Sequence, residues 1–172
     1  MIVVNYRRKF RLFKIRLIAV IIVILSGNLA FSQNAFEDAL KKAASENKRV
    51  VIDVYTDWCG WCKKMDAEAY SNDEVKKLLK DNFVLVKLNA EGKDKLTYNG
   101  KKYTEEELSY YFEVFSFPTT IFLESDGKVI SFKYDNYPMK NIPGYVKTDE
   151  FKKLLIFFRD GKYKDIDLST VI

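Results

Sequence analysis

The sequence predicts an α/β domain built on a mixed central sheet with helices on both faces. Two observations carry this. The segments Val50–Tyr55 and Phe83–Leu88 are β-branched and mostly apolar, the pattern of strands buried on both sides. Helical periodicity then fills the chain before, between and after them, giving the order βαβ…ββα in one unit without internal repeats.

Each element follows from local chemistry. Residues 35–46 space Phe36, Ala39, Leu40 and Ala43 at helical intervals, with Asn34 as a candidate cap. A helix is expected from Cys59 to Ala69. Ser71-Asn72-Asp73-Glu74 reads as a capping box restarting a helix with Val75, Leu78 and Leu79 on one face. Between residues 89 and 103 the chain is polar and lysine-rich. Within that stretch Asn99-Gly100 lies between arms carrying Leu96, Tyr98 and Tyr103, a hairpin signal. Thr104 and Glu107 open a helix expected to run to Val114. Thr119–Leu123 is a strand, Ser125-Asp126-Gly127 a turn, and Val129–Tyr134 the expected hairpin partner. Thr148 is expected to cap a last helix that turns Phe151, Leu154, Leu155 and Phe158 inward.

The N-terminus reads as an export signal. Residues 1–32 hold six basic residues, from Arg7 to Arg16, and no acidic one. An apolar run, Leu17–Leu25, follows, and then Ala30-Phe31-Ser32 at a peptidase-compatible spacing. Cleavage is expected after Ser32. The competing reading is an uncleaved anchor, which a run of nine apolar residues is short to supply. Domain organisation is therefore a signal peptide over 1–32 and one domain over 33–172. The mature chain is expected to be soluble, monomeric and extracytoplasmic, in a periplasm or its equivalent, touching a membrane only during export.

Composition removes several function classes. Setting aside the six basic residues of the leader leaves 23 basic residues against 24 acidic ones. A near-neutral body lacks the clustered positive charge that nucleic-acid binding needs. Histidine is absent, so Ser–His and Cys–His nucleophilic pairs and histidine metal ligands are excluded.

The chemistry concentrates at Cys59 and Cys62, the only cysteines. They stand between a strand and a helix, in Tyr55-Thr56-Asp57-Trp58-Cys59-Gly60-Trp61-Cys62-Lys63-Lys64. At a helix N-terminus, unpaired N–H groups favour an anion, so a Cys59 thiolate would be stabilised. Cys62 lies one turn on, within disulfide reach. Cys59 could attack a substrate disulfide and Cys62 resolve the mixed disulfide. Three alternatives stay open at this point. A purely structural disulfide would close too short a loop to constrain much chain entropy. Half a zinc site would need a second ligand pair from another copy. The pair could also be idle.

The segment from Trp58 to Met65 resembles the active-site helix of the thioredoxin superfamily. It is most similar to exported thioredoxin-like proteins and to the C-terminal domain of the periplasmic membrane reductant transporter. Four further places match at family spacing. They are Asp53 as the buried acid, Lys87 as its lysine partner, Phe117-Pro118-Thr119 as the cis-proline loop, and Gly144-Tyr145 as the closing turn. The resemblance covers residues 35–160 and implies a thioredoxin fold. Trp61 stands where thioredoxin has proline. The stretch 89–103 is an insertion and 160–172 an extra tail.

The resemblance implies a thiol–disulfide oxidoreductase that reduces client proteins, with no cofactor beyond the Cys59–Cys62 dithiol and no metal. Its electron donor would be a separate, membrane-bound protein. An oxidase or isomerase, and a non-catalytic chaperone or assembly subunit on the same fold, are the alternatives. Catalytic roles are expected for Cys59, Cys62, Asp53 and Lys87. A carboxylate in a buried strand is costly unless paired or useful, and Asp53 could take the proton of Cys62. Trp58, Gly60, Trp61, Phe117 and Pro118 are expected to form the client-binding rim, with Pro118 cis and its neighbours ready to pair with an extended peptide.

Overall fold

The computed structural model describes residues 35–172. The expected export signal, its cleavage site and the Asn34 cap lie outside those residues. Helix α1 (Ala35–Glu46) leads to β1 (Arg49–Tyr55). The segment after Cys59 is a short helix, α2 (Gly60–Met65), continued by a π-helical turn over Asp66–Tyr70. Then come α3 (Asp73–Asn82), β2 (Phe83–Asn89), the hairpin β3 (Lys95–Tyr98) and β4 (Lys101–Thr104), and α4 (Glu105–Tyr111). The second half holds β5 (Thr119–Leu123), β6 (Phe132–Tyr134), β7 (Tyr137–Met139), β8 (Ile142–Pro143) and α5 (Thr148–Arg159). Two 3₁₀ turns, Lys162–Lys164 and Leu168–Thr170, close the chain.

The central sheet has the order β2-β1-β5-β8. β1 runs parallel to β2 and antiparallel to β5, and β5 pairs antiparallel with β8. This is the mixed α/β sheet expected. Because side chains alternate along a strand, β1 feeds two cores. Val51 joins Met65, Ala69, Tyr70, Phe122, Phe151 and Phe158 on the side of α2, α3 and α5. Val50, Ile52 and Val54 join Phe36, Leu96, Tyr98, Leu108 and Phe112 on the side of α1, α4 and the hairpin. Each fully buried aliphatic or aromatic side chain contributes roughly 1.5–3 kcal/mol.

The expected hairpin forms about Asn99-Gly100 and spans residues 95–104, with Leu96 opposite Tyr103 and Tyr98 opposite Lys101. Asn99 and Gly100 take φ of 50° and 74°, the left-handed pair that a two-residue turn requires. Leu96 and Tyr98 are 7% and 1% exposed. The hairpin is thus bolted into the second core, and the Tyr98 hydroxyl donates to Gly127 O at 2.7 Å.

Five expectations need correction. The helix after Cys59 is not regular to Ala69, because Ser71 donates through both N–H (3.0 Å) and Oγ (2.7 Å) to Asp66 O and widens the last turn. With Ser71 so engaged, Asn72 caps α3 instead, its Oδ1 accepting from Glu74 N and Val75 N. Helix α4 stops at Tyr111, since Glu113 turns to φ 58° and returns Val114 to the core. Thr148 is not a cap, because its hydroxyl donates across to Glu68 O at 3.1 Å. Among the described residues, the backbone of 129–134 pairs with β5 only at the Leu123–Val129 bridge and through Ile130 N–H to Phe122 O. Its regular part, β6, pairs with β7, and β8 takes the place beside β5.

Candidate functional site

The C-terminal end of β1 delivers the chain into the site. Thr56 O accepts from Cys59 N at 3.2 Å, a tight turn that sets Cys59 as N-cap of α2. Cys62 N–H donates to Cys59 Sγ at 3.0 Å. The two sulfurs form a disulfide with Cα atoms 5.3 Å apart. Both cysteines are nearly buried, at 4% and 5% exposure, so exposure does not separate them. Their helical positions do. Cys59 caps the helix, while Cys62 lies with Met65 and Ala69 on the face turned toward the sheet.

Asp53 occupies β1 opposite Lys87 on β2 and Thr120 on β5. It shares the sheet face of Val51, the face that the active-site segment covers. Lys87 Nζ donates to Asp53 Oδ2 and to Asp66 Oδ1, each at 2.5 Å. Asp53 Oδ1 is buried and has no partner among the described residues. Burial pushes the Asp53 carboxyl above the ordinary aspartate value, against the opposing pull of Lys87. Half-burial works against the Lys87 ammonium, but the two carboxylates together hold its pKa above the usual lysine value.

The surface around the disulfide is aromatic. Trp58 is 67% exposed and meets Phe117 edge-to-face, with ring centroids 6.0 Å apart. Its Nε1 donates to the Glu91 carboxylate at 3.0 Å. Trp61 is 57% exposed and leans on Tyr145 at 5.5 Å, with the Lys64 ammonium over both rings. The Tyr145 hydroxyl donates to the Glu68 carboxylate. Open space lies above the missing side chain of Gly60. Phe117–Pro118 is a cis peptide bond. Pro118 O accepts from Gly144 N at 2.8 Å, whereas the Phe117 N–H and C=O have no backbone partner among the described residues.

All nine residues singled out from the sequence therefore fall into two groups in one region, Asp53 and Lys87 beneath and the rest around the disulfide. Asp66, Glu91 and Tyr145 were not singled out for the site. Asp66 had a legible signal, standing four residues after Cys62 and so on the same helical face. Tyr145 is legible only as part of the closing turn, and Glu91 has no signal because its partner is distant in sequence.

A Cys-x-x-Cys disulfide at the N-cap of a helix, on a mixed sheet beside a cis-proline loop, defines a thioredoxin-like thiol–disulfide oxidoreductase. The chain belongs to the thioredoxin-like domain family, whose model matches residues 36–159. It is 27% identical over 129 residues to the thiol:disulfide interchange protein DsbD of Actinobacillus pleuropneumoniae, covering 74% of this chain and 19% of that protein. Against Escherichia coli DsbD it is 27% identical over 126 residues, covering 72% and 20%. The chain thus spans about one fifth of the length of these relatives. A thioredoxin-fold protein from Helicobacter pylori superposes with a TM-score of 0.58 at 23% identity, covering 73% of this chain and 80% of that one.

Proposed function

We propose that this protein is an exported reductase of client-protein disulfides. The observation that carries the reading is the Cys62 N–H donated to Cys59 Sγ at the helix cap, an arrangement that favours a Cys59 thiolate once the disulfide is reduced. Cys59 attacks a client disulfide, one client sulfur leaves as thiolate, and a Cys59–client mixed disulfide forms. Cys62 loses its proton to Asp53 and attacks Cys59 Sγ. The Cys59–Cys62 bond forms and the second client thiolate departs. Two electrons have passed to the client.

Lys87 holds the proton-accepting carboxylate in place. Trp58, Trp61, Gly60 and Phe117 receive the client beside the cysteines, and the free backbone groups of Phe117 pair with it as an extended strand. Thiol–disulfide exchange is supported by the likeness to DsbD, named as an interchange protein, and the reductive direction by the resemblance of the Trp58–Met65 segment to exported reductant domains. A separate, membrane-bound donor returns the electrons. The basic leader and apolar run within 1–32 support export into a periplasm or its equivalent. No helix among the described residues is long and apolar enough to cross a membrane.

The test pairs a trap with a potential. Cys62→Ser is expected to accumulate mixed disulfides through Cys59, and Cys59→Ser few. Titration in glutathione buffers is expected to give a potential near that of thioredoxin, about −270 mV. A value near −120 mV would make the protein an oxidase instead. Absence of any trapped client would favour a binding role without catalysis.

A further inference from the structure

Beneath the disulfide, three buried polar atoms within one small region have no partner among the described residues. They are Asp53 Oδ1, Tyr70 OH and Thr120 Oγ1. Asp53 is 2% exposed, Thr120 is fully buried and Tyr70 is 9% exposed. Thr120 stands directly across from Asp53 in the β1–β5 register. Lys87 Nζ, bonded to Asp53 Oδ2 at 2.5 Å, lies 5.0 Å from the Tyr70 ring centroid, which puts that ring beside the carboxylate. The π-helical turn over Asp66–Tyr70 ends at this tyrosine and leaves it in the core that covers Asp53.

Buried polar groups are costly when unmet, so three in one place call for a shared purpose. We propose that Tyr70 and Thr120 are positioning residues for Asp53, their hydroxyls serving as exchangeable hydrogen-bond partners of its Oδ1 atom. The inference rests on the reading of Asp53 as acceptor of the Cys62 proton.

The chemistry of the groups sorts their roles. Lys87 can only donate, and it already occupies Oδ2. It suits the carboxylate and cannot accept from the acid. A hydroxyl does both by rotating about its C–O bond. Neither hydroxyl is bonded to Oδ1 in this structure, so when Asp53 is ionised the Tyr70 or Thr120 side chain shifts to bring its O–H onto Oδ1. When Cys62 passes its proton to Oδ1, the new O–H donates to a hydroxyl oxygen. The carboxyl gains one proton, Cys62 loses one, and neither hydroxyl ionises. Burial supports this by holding the Tyr70 pKa well above the ordinary tyrosine value, so the phenol stays neutral. The other charged or titratable groups facing Asp53 are Lys87 and Asp66, with Tyr55 beyond Lys87 and Cys62 above. Lys87 also sits 5.0 Å from the Tyr70 ring centroid, which closes the cluster on the solvent side.

The experiment reads the resolving step directly. Reduced protein is mixed with Ellman's disulfide in a stopped-flow instrument, and release of the second thionitrobenzoate reports Cys62 attacking the Cys59 adduct. The rate is followed across pH for wild type, Tyr70→Phe, Thr120→Val and Asp53→Asn. Removing a donor to a buried carboxylate favours its acid form, so Tyr70→Phe should move the midpoint of the rise upward by about one pH unit. Thr120→Val should move it the same way, and it carries the test if Tyr70→Phe does not fold. A purely structural role would lower the melting temperature and leave the midpoint in place. Folded variants with the wild-type midpoint overturn the proposal while Asp53→Asn, if it abolishes the rise, upholds the acceptor reading. If Asp53→Asn keeps the wild-type profile, Asp53 is not the acceptor and both ideas fall together.

Discussion

Asp53→Asn should slow the enzyme and stabilise the fold, and the second effect should depend on pH. The substitution keeps the shape of the side chain and removes its charge. Asp53 is 2% exposed, and burial raises its pKa above the unfolded value. A group whose folded pKa is raised adds its full stability below the unfolded pKa. That contribution is lost as pH rises through the folded value. At neutral pH wild type bears this cost and the asparagine does not. Breaking a buried ion pair is destabilising when it strands the partner charge. Here Lys87 is not stranded, because Asp66 Oδ1 still holds it at 2.5 Å and its side chain is 39% exposed. The amide can still accept from Lys87 through its oxygen. The expected gain near pH 7 is about 1–3 kcal/mol, a rise of several degrees in Tm. It should fade below about pH 4, where the unfolded aspartate is also protonated. Urea unfolding of the oxidised protein at both pH values, with unchanged slope, measures it. The resolving step should slow by about a hundredfold, the low end for loss of a general base. A variant that is less stable at neutral pH, or equally stabilised at both pH values, refutes the reasoning.

Tyr98→Phe leaves the buried Gly127 carbonyl without its donor and should cost about 1–2 kcal/mol, whereas Tyr98→Ala, which also empties part of the core, should cost about 3–5 kcal/mol, both read from urea midpoints. Asp167 accepts from the amides of Asp135, Asn136 and Ser169, and these bonds lower its pKa. Its stabilisation is therefore present above the unfolded carboxylate pKa and lost as pH falls through the folded one. Asp167→Ala should lower Tm at neutral pH, lose that difference in acid, and speed proteolysis of the tail.

Much of the site was legible because its spacings are short or strand-to-strand. Cys59 and Cys62 sit one helical turn apart. Asp53 and Lys87 each interrupt an apolar strand, and a parallel register of β1 and β2 sets them side by side. What stayed hidden was decided by contacts distant in sequence. Ser71 and Thr148 look like caps, yet one turns back to Asp66 O and the other reaches Glu68 O. Local propensity scores the hydroxyl and cannot see which carbonyl it finds. The π-helical turn is the costly case, because a regular 3.6-residue period cannot register the added residue, and that residue is what brings Tyr70 toward Asp53. β8 offered no strand signal at all, being two residues that end in proline; it forms because Thr119 and Thr120 of β5 pair with it.

The hairpin stretch shows how a long connection can serve fold and site together. Its arms supply Leu96 and Tyr98 to the core, so excising them would test stability before function. Its approach, Asn89–Asp94, is braced by α4, with Glu105 N–H donated to Asp94 O and Glu106 N–H to Gly92 O. A Cβ on Gly92 would stand 1.9 Å from Glu105 Oε2, so the loop and helix meet where only glycine fits without a shift. That bracing holds Glu91 against the indole of Trp58 at the rim of the disulfide. A role for this stretch in choosing clients is therefore better sought at Glu91 and Trp58, where the loop reaches the chemistry, than at the Asn99-Gly100 tip.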